Sequence, residues 1–310
     1  MTETDPGATE ECDHDVVIVG GGPAGCSAGV FCARAGLDTV VYDRGRSSIQ
    51  RCAHLENYPG FPAGIDIESL YDLLHDHAET AGCEIRNDLV ESLDHRGDAE
   101  GLAVTPQEGD VVTARRVVAA TRYDGAYMRG LGDDRAMFET HEHDGETHEH
   151  FDKEYTNDDG TTPIDGLYVA TPNEADDQAI IAAGRGARVA QRVIADDRLD
   201  DGWWEDVATG VDWVRQEAAL DDEWADRDRW VEWFDDHYGE DAPVDVDTAR
   251  FQRVRAASID ESLGSYIAAE EVDSRAIAAQ DRLLEHIDDE RILAAARDID
   301  ADPQPTEGRN

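Results

Sequence analysis

Residues 15–43 read DVVIVGGGPAGCSAGVFCARAGLDTVVYD, and the order of residue types in this stretch decides the fold. Val16 to Val19 form a short apolar run rich in β-branched side chains, as expected of a strand buried on both faces of a parallel sheet. Glycines follow at 20, 22 and 25, in the spacing G-x-G-x-x-G. Ala24 to Ala35 predicts a small-residue helix stopped by Gly36, and Thr39 to Tyr42 predicts a second strand ending on Asp43. The glycine spacing by itself is a weak signal. Here strand, glycine turn, helix, second strand and terminal acid follow in the order that the motif requires.

Each residue type has a chemical reason. Gly20 permits a tight turn, Gly22 lets the backbone approach a pyrophosphate, and Gly25 lets helix and strand pack closely. The helix N-terminus then offers free N–H groups and a positive dipole end to the phosphates. Asp43 lies 18 residues beyond Gly25, where a carboxylate accepts from a ribose 2′-OH and repels a 2′-phosphate. The adenosine half therefore suits FAD or NAD and not NADP. The competing reading is a glycine-rich βα turn in an α/β domain that holds no ligand.

Composition narrows the partners. The 310 residues suffice for one large domain or two ordinary ones. Seventy-two acidic residues against 27 basic ones give a net charge of −45, and Lys153 is the only lysine. Such a surface repels phosphate, which speaks against nucleic acid and anionic membranes as partners. The acid is spread along the whole chain, a pattern suited to concentrated salt, where self-repulsion is screened. The start MTETDPGATEEC has neither the basic nor the apolar part of a signal peptide, and no apolar run approaches the roughly 20 residues of a membrane span. A cytoplasmic, salt-adapted protein is expected. The five cysteines, at 12, 26, 32, 52 and 83, include no C-x-x-C, so a disulfide scaffold, zinc ribbon or local dithiol is not expected, and all five read as small buried hydrophobes.

Beyond Asp43, prolines and glycines at 59, 60 and 62 make Glu56 to Ile65 a loop, and Glu68 to Thr80 carries a helical apolar stripe at 70, 73, 74 and 78. Asp88 to Leu93, Gly101 to Thr105 and Val111 to Ala114 predict an antiparallel meander, and Arg116 to Thr121 a buried strand returning to the parallel sheet.

Four segments together carry a family resemblance: VGGGPAG at 19–25, ENYPGFPAGI at 56–65, RRVVAAT at 115–121, and DGLYVAT at 165–171 followed by QAIIAAGRGARVA at 178–190. They resemble the flavin domain of thioredoxin reductases and their relatives, the low-molecular-weight pyridine-nucleotide disulfide oxidoreductases, over about half the chain. The resemblance implies FAD, with phosphate contacts at Gly20, Gly22, Pro23 and Ala24, a ribose contact at Asp43, and flavin-side contacts at Asn57, Gln178 and Ala179, and Gly25 and Thr121 also count among the cofactor-binding positions.

The departures matter equally. Nothing between Thr121 and Asp165 resembles the family's second glycine motif, which opens its NADPH domain, and its redox-active C-x-x-C is absent. Residues 123–159 stand where a domain of roughly a hundred residues is expected. The chain is therefore expected neither to bind NADPH in the family's manner nor to reduce thioredoxin. The family's Ala-Thr-Gly reads Ala120-Thr121-Arg122, and its Ala-Gly-Asp reads Ala170-Thr171-Pro172, with Asp176 or Asp177 as substitutes for the missing aspartate. Cys52 and His54, beside the isoalloxazine loop, are the candidates for redox or proton transfer, against the alternative that they are loop residues without a role.

The segment MFETHEHDGETHEHF predicts a hairpin turning at Asp144-Gly145. Its register pairs His143 with Glu146, His141 with His148, and Glu139 with His150. His141, His143, His148 and His150 then offer ligands of the type that holds a divalent metal, against the alternative of a solvated acidic hairpin. Thr162 to Ala195 returns to the first domain, with a strand at Leu167 to Ala170 and a helix at Gln178 to Ile194. After Asp196 six amphipathic helices are expected, at 204–220, 223–238, 247–257, 261–280, 282–287 and 290–299. All six tryptophans fall between Trp203 and Trp233, and Trp230, Phe234 and Tyr238 form one aromatic stripe, read as core or docking surface.

The fold class expected is α/β: a Rossmann-like FAD-binding domain joining a parallel sheet to an antiparallel β-meander, with an all-helical C-terminal extension. Its parts are a disordered start at 1–12, the FAD domain at 13–122 plus 160–198, the His-rich hairpin segment at 123–159, the helical domain at 199–302 and a disordered tail at 303–310. The function expected is that of an FAD-binding oxidoreductase drawing electrons from a small-molecule or protein donor, in a chain compatible with a homodimer. The alternatives are a dinucleotide-binding module without turnover, as sensor or structural element, and a metal-binding protein that uses the hairpin.

Overall fold

A computed structural model describes residues 11–45, 47–97, 99–122, 125–143, 146–170, 178–210, 216–217 and 224–301, with backbone alone for 141–143, 146–148 and 216–217. The chain divides into two compact units, Met1–Asp212 and Trp213–Asn310. The termini expected to be disordered fall largely outside the described residues.

The first unit grows from the opening stretch. Strand β1 (His14–Val19) leads through the glycine turn into helix α1 (Pro23–Arg34), and β2 (Thr39–Tyr42) returns parallel to β1, with Val17 opposite Val40. Val16 and Ile18 pack with Cys26, Ala28 and Cys32, whereas Val17 and Val19 pack with Leu93, Met128 and Phe138. Both faces of β1 are thus covered, which explains why the run is apolar without alternation. Short β3 (His54–Leu55) and β4 (Ile65–Asp66) bracket the proline-rich loop, and α2 (Ile67–Ala81) follows. Asp66 caps α2 by accepting from the Ser69 N–H at 2.9 Å, and Gly82 ends it at φ 113°.

Next come β5 (Glu84–Arg86), β6 (Val90–His95), β7 (Leu102–Pro106) and β8 (Val112–Ala119). The two strands predicted at Val111–Ala114 and Arg116–Thr121 are one: residues 112–114 of β8 pair antiparallel with β7, and its C-terminal half continues into the parallel sheet. The unit goes on with α3 (Asp134–Met137), the hairpin β9 (Phe138–His143) and β10 (Glu146–Phe151), β11 (Leu167–Val169), α4 (Ala179–Asp200) and α5 (Glu205–Ala208). Residues 117–119 of β8 pair parallel with β11, so the parallel strands lie in the order β5, β2, β1, β8, β11. The parallel pairing of β5 with β2 was not predicted. The hairpin pairs in the expected register, His141 opposite His148; its turn, Asp144-Gly145, lies outside the described residues. Phe138 and Phe151 at its base are buried with Met128 and Met137 on one side of the sheet.

Helices α1 and α4 lie on the other side, in close contact. A Cβ at Gly186 would stand 1.9 Å from the Ala24 carbonyl oxygen. Arg116 of β8, only 4% exposed, anchors the far end of α4 through Asp197 (2.7 Å) and Asp200 (2.6 Å). Cys26, Cys32 and Cys83 are buried as expected, but Cys52 is exposed and Cys12 half-buried, because both sit on irregular backbone outside the sheet and helices.

The second unit holds β12 (Gln216–Glu217), α6 (Arg227–Tyr238), α7 (Ala249–Gly264), β13 (Tyr266–Ile267), α8 (Ala269–Leu284) and α9 (Asp289–Ala301). The helix predicted through residue 220 is interrupted, since β12 pairs parallel with β13, and the helix predicted at 261–280 breaks around that strand. Of the aromatic stripe, Phe234 is fully buried against Phe251, with ring centroids 5.8 Å apart, while Trp230 and Tyr238 are half-buried. No described helix is long and apolar enough to cross a membrane.

Candidate nucleotide site

The N-terminus of α1 opens the site. Gly22 caps the helix without a side-chain hydrogen bond and Pro23 fills the first turn, so the leading N–H groups of α1 have no side-chain acceptor at the cap. Gly20 has φ 118°, and a Cβ there would lie 2.8 Å from the Ala120 carbonyl oxygen. At Gly25 a Cβ would stand 1.7 Å from the Gly20 carbonyl oxygen and 3.3 Å from Ile18 Cγ2, so α1 lies close on both the turn and strand β1. The neighbours of Gly22 and Gly21 add a constraint that the motif does not state. Their Cβ positions fall 2.7 Å from Ser47 Oγ and 2.5 Å from Asp43 Cβ, so the segment after β2 presses on the turn.

The turn, the end of β2 and the end of β8 enclose one cavity of about 510 Å³. Gly20, Gly22, Pro23, Ala24 and Asp43 line one part, and Thr121, Gln178 and Ala179 line another. Arg44, Arg51 and Arg122 also face it, a concentration of cations in a chain with only 27 basic residues. Gly25 packs behind the wall and does not line it. Cys52 lines the cavity, whereas His54 does not; its imidazole lies against Gly64 instead. Asn57 is also absent from the wall but reaches Gln178, donating from Nδ2 to Oε1 at 2.5 Å. Two of the predicted flavin-side positions are thus joined across 121 residues of sequence. Thr171, Pro172, Asp176 and Asp177 lie outside the described residues.

Asp43 is held by groups that the sequence pattern does not reveal. Its Oδ1 accepts from the Gly45 N–H at 3.0 Å, and its Oδ2 accepts from the Tyr71 hydroxyl and lies 3.3 Å from His75 Nε2. Burial pushes the carboxyl up, but donation from His75, Tyr71 and Gly45 outweighs it and holds the group below the usual carboxylate range. Burial alone would lower the His75 imidazole; Asp43, the Cys26 thiol and the Gly21 carbonyl push it up to about 10. Tyr71 is raised by burial and by the Asp43 carboxylate.

Residues 14–184, more than half of the chain, match the family described as "Pyridine nucleotide-disulphide oxidoreductase". The chain belongs to this family. As a family member it is 34% identical over 137 residues to the "Bifunctional thioredoxin reductase/thioredoxin" of Mycobacterium leprae, covering 43% of this chain and 29% of that protein. It is 36% identical over 122 residues to a thioredoxin reductase of Streptomyces clavuligerus, covering 38% and 36%. The chain thus spans about a third of the length of the curated relatives it matches. Among solved structures it is similar to a thioredoxin reductase from Gloeobacter violaceus, at 20% identity and TM-score 0.48, covering 62% of this chain and 97% of that one.

Of the metal candidates, His150 is the one whose side chain is described, and it does not line the cavity. The side chains of His141, His143 and His148 lie outside the described residues, and among the described residues no group of three or more His, Cys, Asp or Glu is arranged to hold a metal ion. Tyr71 and His75 were missed as site residues. The available signal was their spacing of one helical turn on the apolar side of α2, which reads first as core.

Proposed function

We propose that residues 13–122 and 160–198 form an FAD-binding module of an oxidoreductase that takes its electrons from a separate small molecule or protein. One observation carries the reading. A single cavity joins an uncapped helix N-terminus, a buried aspartate 18 residues past the glycine turn, and the Thr121, Gln178 and Ala179 positions where a flavin ring would lie. The backbone N–H groups of α1 with Arg44 or Arg51 would hold the pyrophosphate, and Asp43 the adenosine ribose. FAD, when bound, would supply the hydride and electron chemistry that no side chain offers. The absence of a C-x-x-C and of a second glycine motif supports a role other than thioredoxin reduction. We read the dispersed acidic surface as adaptation to a salt-rich cytoplasm.

Protein purified in molar KCl should carry flavin absorbance near one FAD per chain. Colourless protein that takes up no added FAD would overturn the reading. Arg122, a long cation in the cavity wall where the resemblance has glycine, favours a second reading, nucleotide binding without turnover. Rapid reduction of the bound flavin by NADH, NADPH or reduced ferredoxin would exclude it; no reduction by any of them would favour it.

A further inference from the structure

Of 72 acidic residues in the chain, Asp43 is the only buried carboxylate among the described residues. Its side-chain partners come from α2, which lies outside the nucleotide fingerprint. Tyr71 and His75 sit one helical turn apart with ring centroids 4.4 Å apart, and neither lines the cavity; both stand behind Asp43. His75 Nε2 is also 3.0 Å from the Gly21 carbonyl oxygen, so one imidazole touches both the ribose acid and the phosphate turn. An ionised carboxylate offers about four acceptor positions. The Gly45 N–H takes one on Oδ1, while Tyr71 and His75 occupy Oδ2, which leaves one position on Oδ1.

We propose that Tyr71 and His75 are positioning residues: they hold Asp43 ionised, with one acceptor open to a ribose hydroxyl, and couple that carboxylate to the glycine turn through Gly21. The inference rests on the reading that the cavity takes an adenine nucleotide. His75 is faced by Tyr71 on its own helix, by the Cys26 thiol of α1, by the Gly21 carbonyl and by Asp43, and Asp43 in turn by Tyr71 and the Gly45 N–H. With its donors present, Asp43 titrates below the usual carboxylate range. Without them burial remains, the carboxyl titrates at higher pH, and the protonated form no longer accepts equally from a ribose hydroxyl.

The test is displacement of FAD from the full chain in molar KCl by ADP and by 2′-deoxy-ADP, between pH 5 and 8. Wild-type protein should prefer ADP by about tenfold or more, the size of one hydrogen bond to a charged group, with little change across this range. In Tyr71→Phe/His75→Gln the preference should fall to about threefold or less at pH 5 and partly return at pH 8. The single variants should lie between, and either one suffices if the double variant does not fold. Variants that weaken both ligands by one common factor, with an unchanged preference and pH profile, would show a merely structural pair and overturn the proposal. So would wild-type protein that binds FAD without discriminating the 2′-hydroxyl. Wild-type protein that takes up neither FAD nor ADP would instead remove the nucleotide reading itself.

Discussion

Gly25→Val should yield no folded, nucleotide-competent protein, the largest loss expected from any single change in the site. The added Cβ would stand 1.7 Å from the Gly20 carbonyl oxygen, 2.9 Å from its carbon and 3.3 Å from Ile18 Cγ2. Two of those three atoms are backbone, so no rotamer change relieves the contact. Either α1 lifts from β1 or the Gly20 turn opens, and both separate the helix N-terminus from the cavity. Ordinary overpacking costs about 1–3 kcal/mol, and displacing backbone at the centre of the sheet costs more, against a total stability of about 5–15 kcal/mol. Gly184→Ala is the control. No atom lies within 4 Å of its Cβ position, it is exposed in α4, and alanine there should stabilise by about 0.5–1 kcal/mol. Thermal melting in molar salt reads both variants. A Gly25→Val chain that melts within a few degrees of wild type would mean that the close packing of α1 on its own turn does not support the fold.

The same contact shows what a sequence can reveal. Gly20, Gly25 and Asp43 lie within one βαβ unit, where each constraint is local, so spacing alone predicted strand, turn, helix and acid in order. The hairpin register was legible for the same reason: a two-residue turn sets every pairing from His143–Glu146 to His150–Glu139. What escaped depends on partners distant in sequence. Tyr71 lies 28 residues from the Asp43 it donates to, and its place in an amphipathic helix reads as core before it reads as site. The continuity of β8 was hidden because Arg115 and Arg116 interrupt the apolar run. Only the carboxylates of α4, 81 and 84 residues later, make a buried arginine tolerable there. The strand pair β12–β13 likewise joins segments about 50 residues apart, across what periodicity reads as continuous helix.

Arg116→Leu should destabilise the first unit by about 2–3 kcal/mol at neutral pH, between the near-zero value of an exposed ion pair and the 3–5 kcal/mol of a fully buried one. The intermediate value follows from geometry. The Arg116 side chain is 5% exposed, Asp197 is 19% exposed, and Asp200 at 79% keeps most of its water. Leucine fills the buried volume but leaves Asp197 without its cation. Burial already raises the Asp197 carboxyl in the folded protein, and Arg116 opposes that rise. A raised folded value means that the folded chain binds the proton more tightly than the unfolded one, so stability falls as pH rises from the ordinary carboxylate range through the raised one. Removing Arg116 lifts the upper end of that interval. The variant's deficit should therefore be small at acid pH, where Asp197 binds its proton, and grow as the pH rises through the raised titration of that carboxyl. Denaturant melts at several pH values measure it. Arg116→Leu/Asp197→Leu supplies the decisive comparison, because replacing both charges with apolar groups removes the unpaired carboxylate and should restore stability to within about 1 kcal/mol of wild type. A deficit that is independent of pH and persists in the double variant would mean that lost packing of the arginine stem, not an uncompensated charge, accounts for the effect.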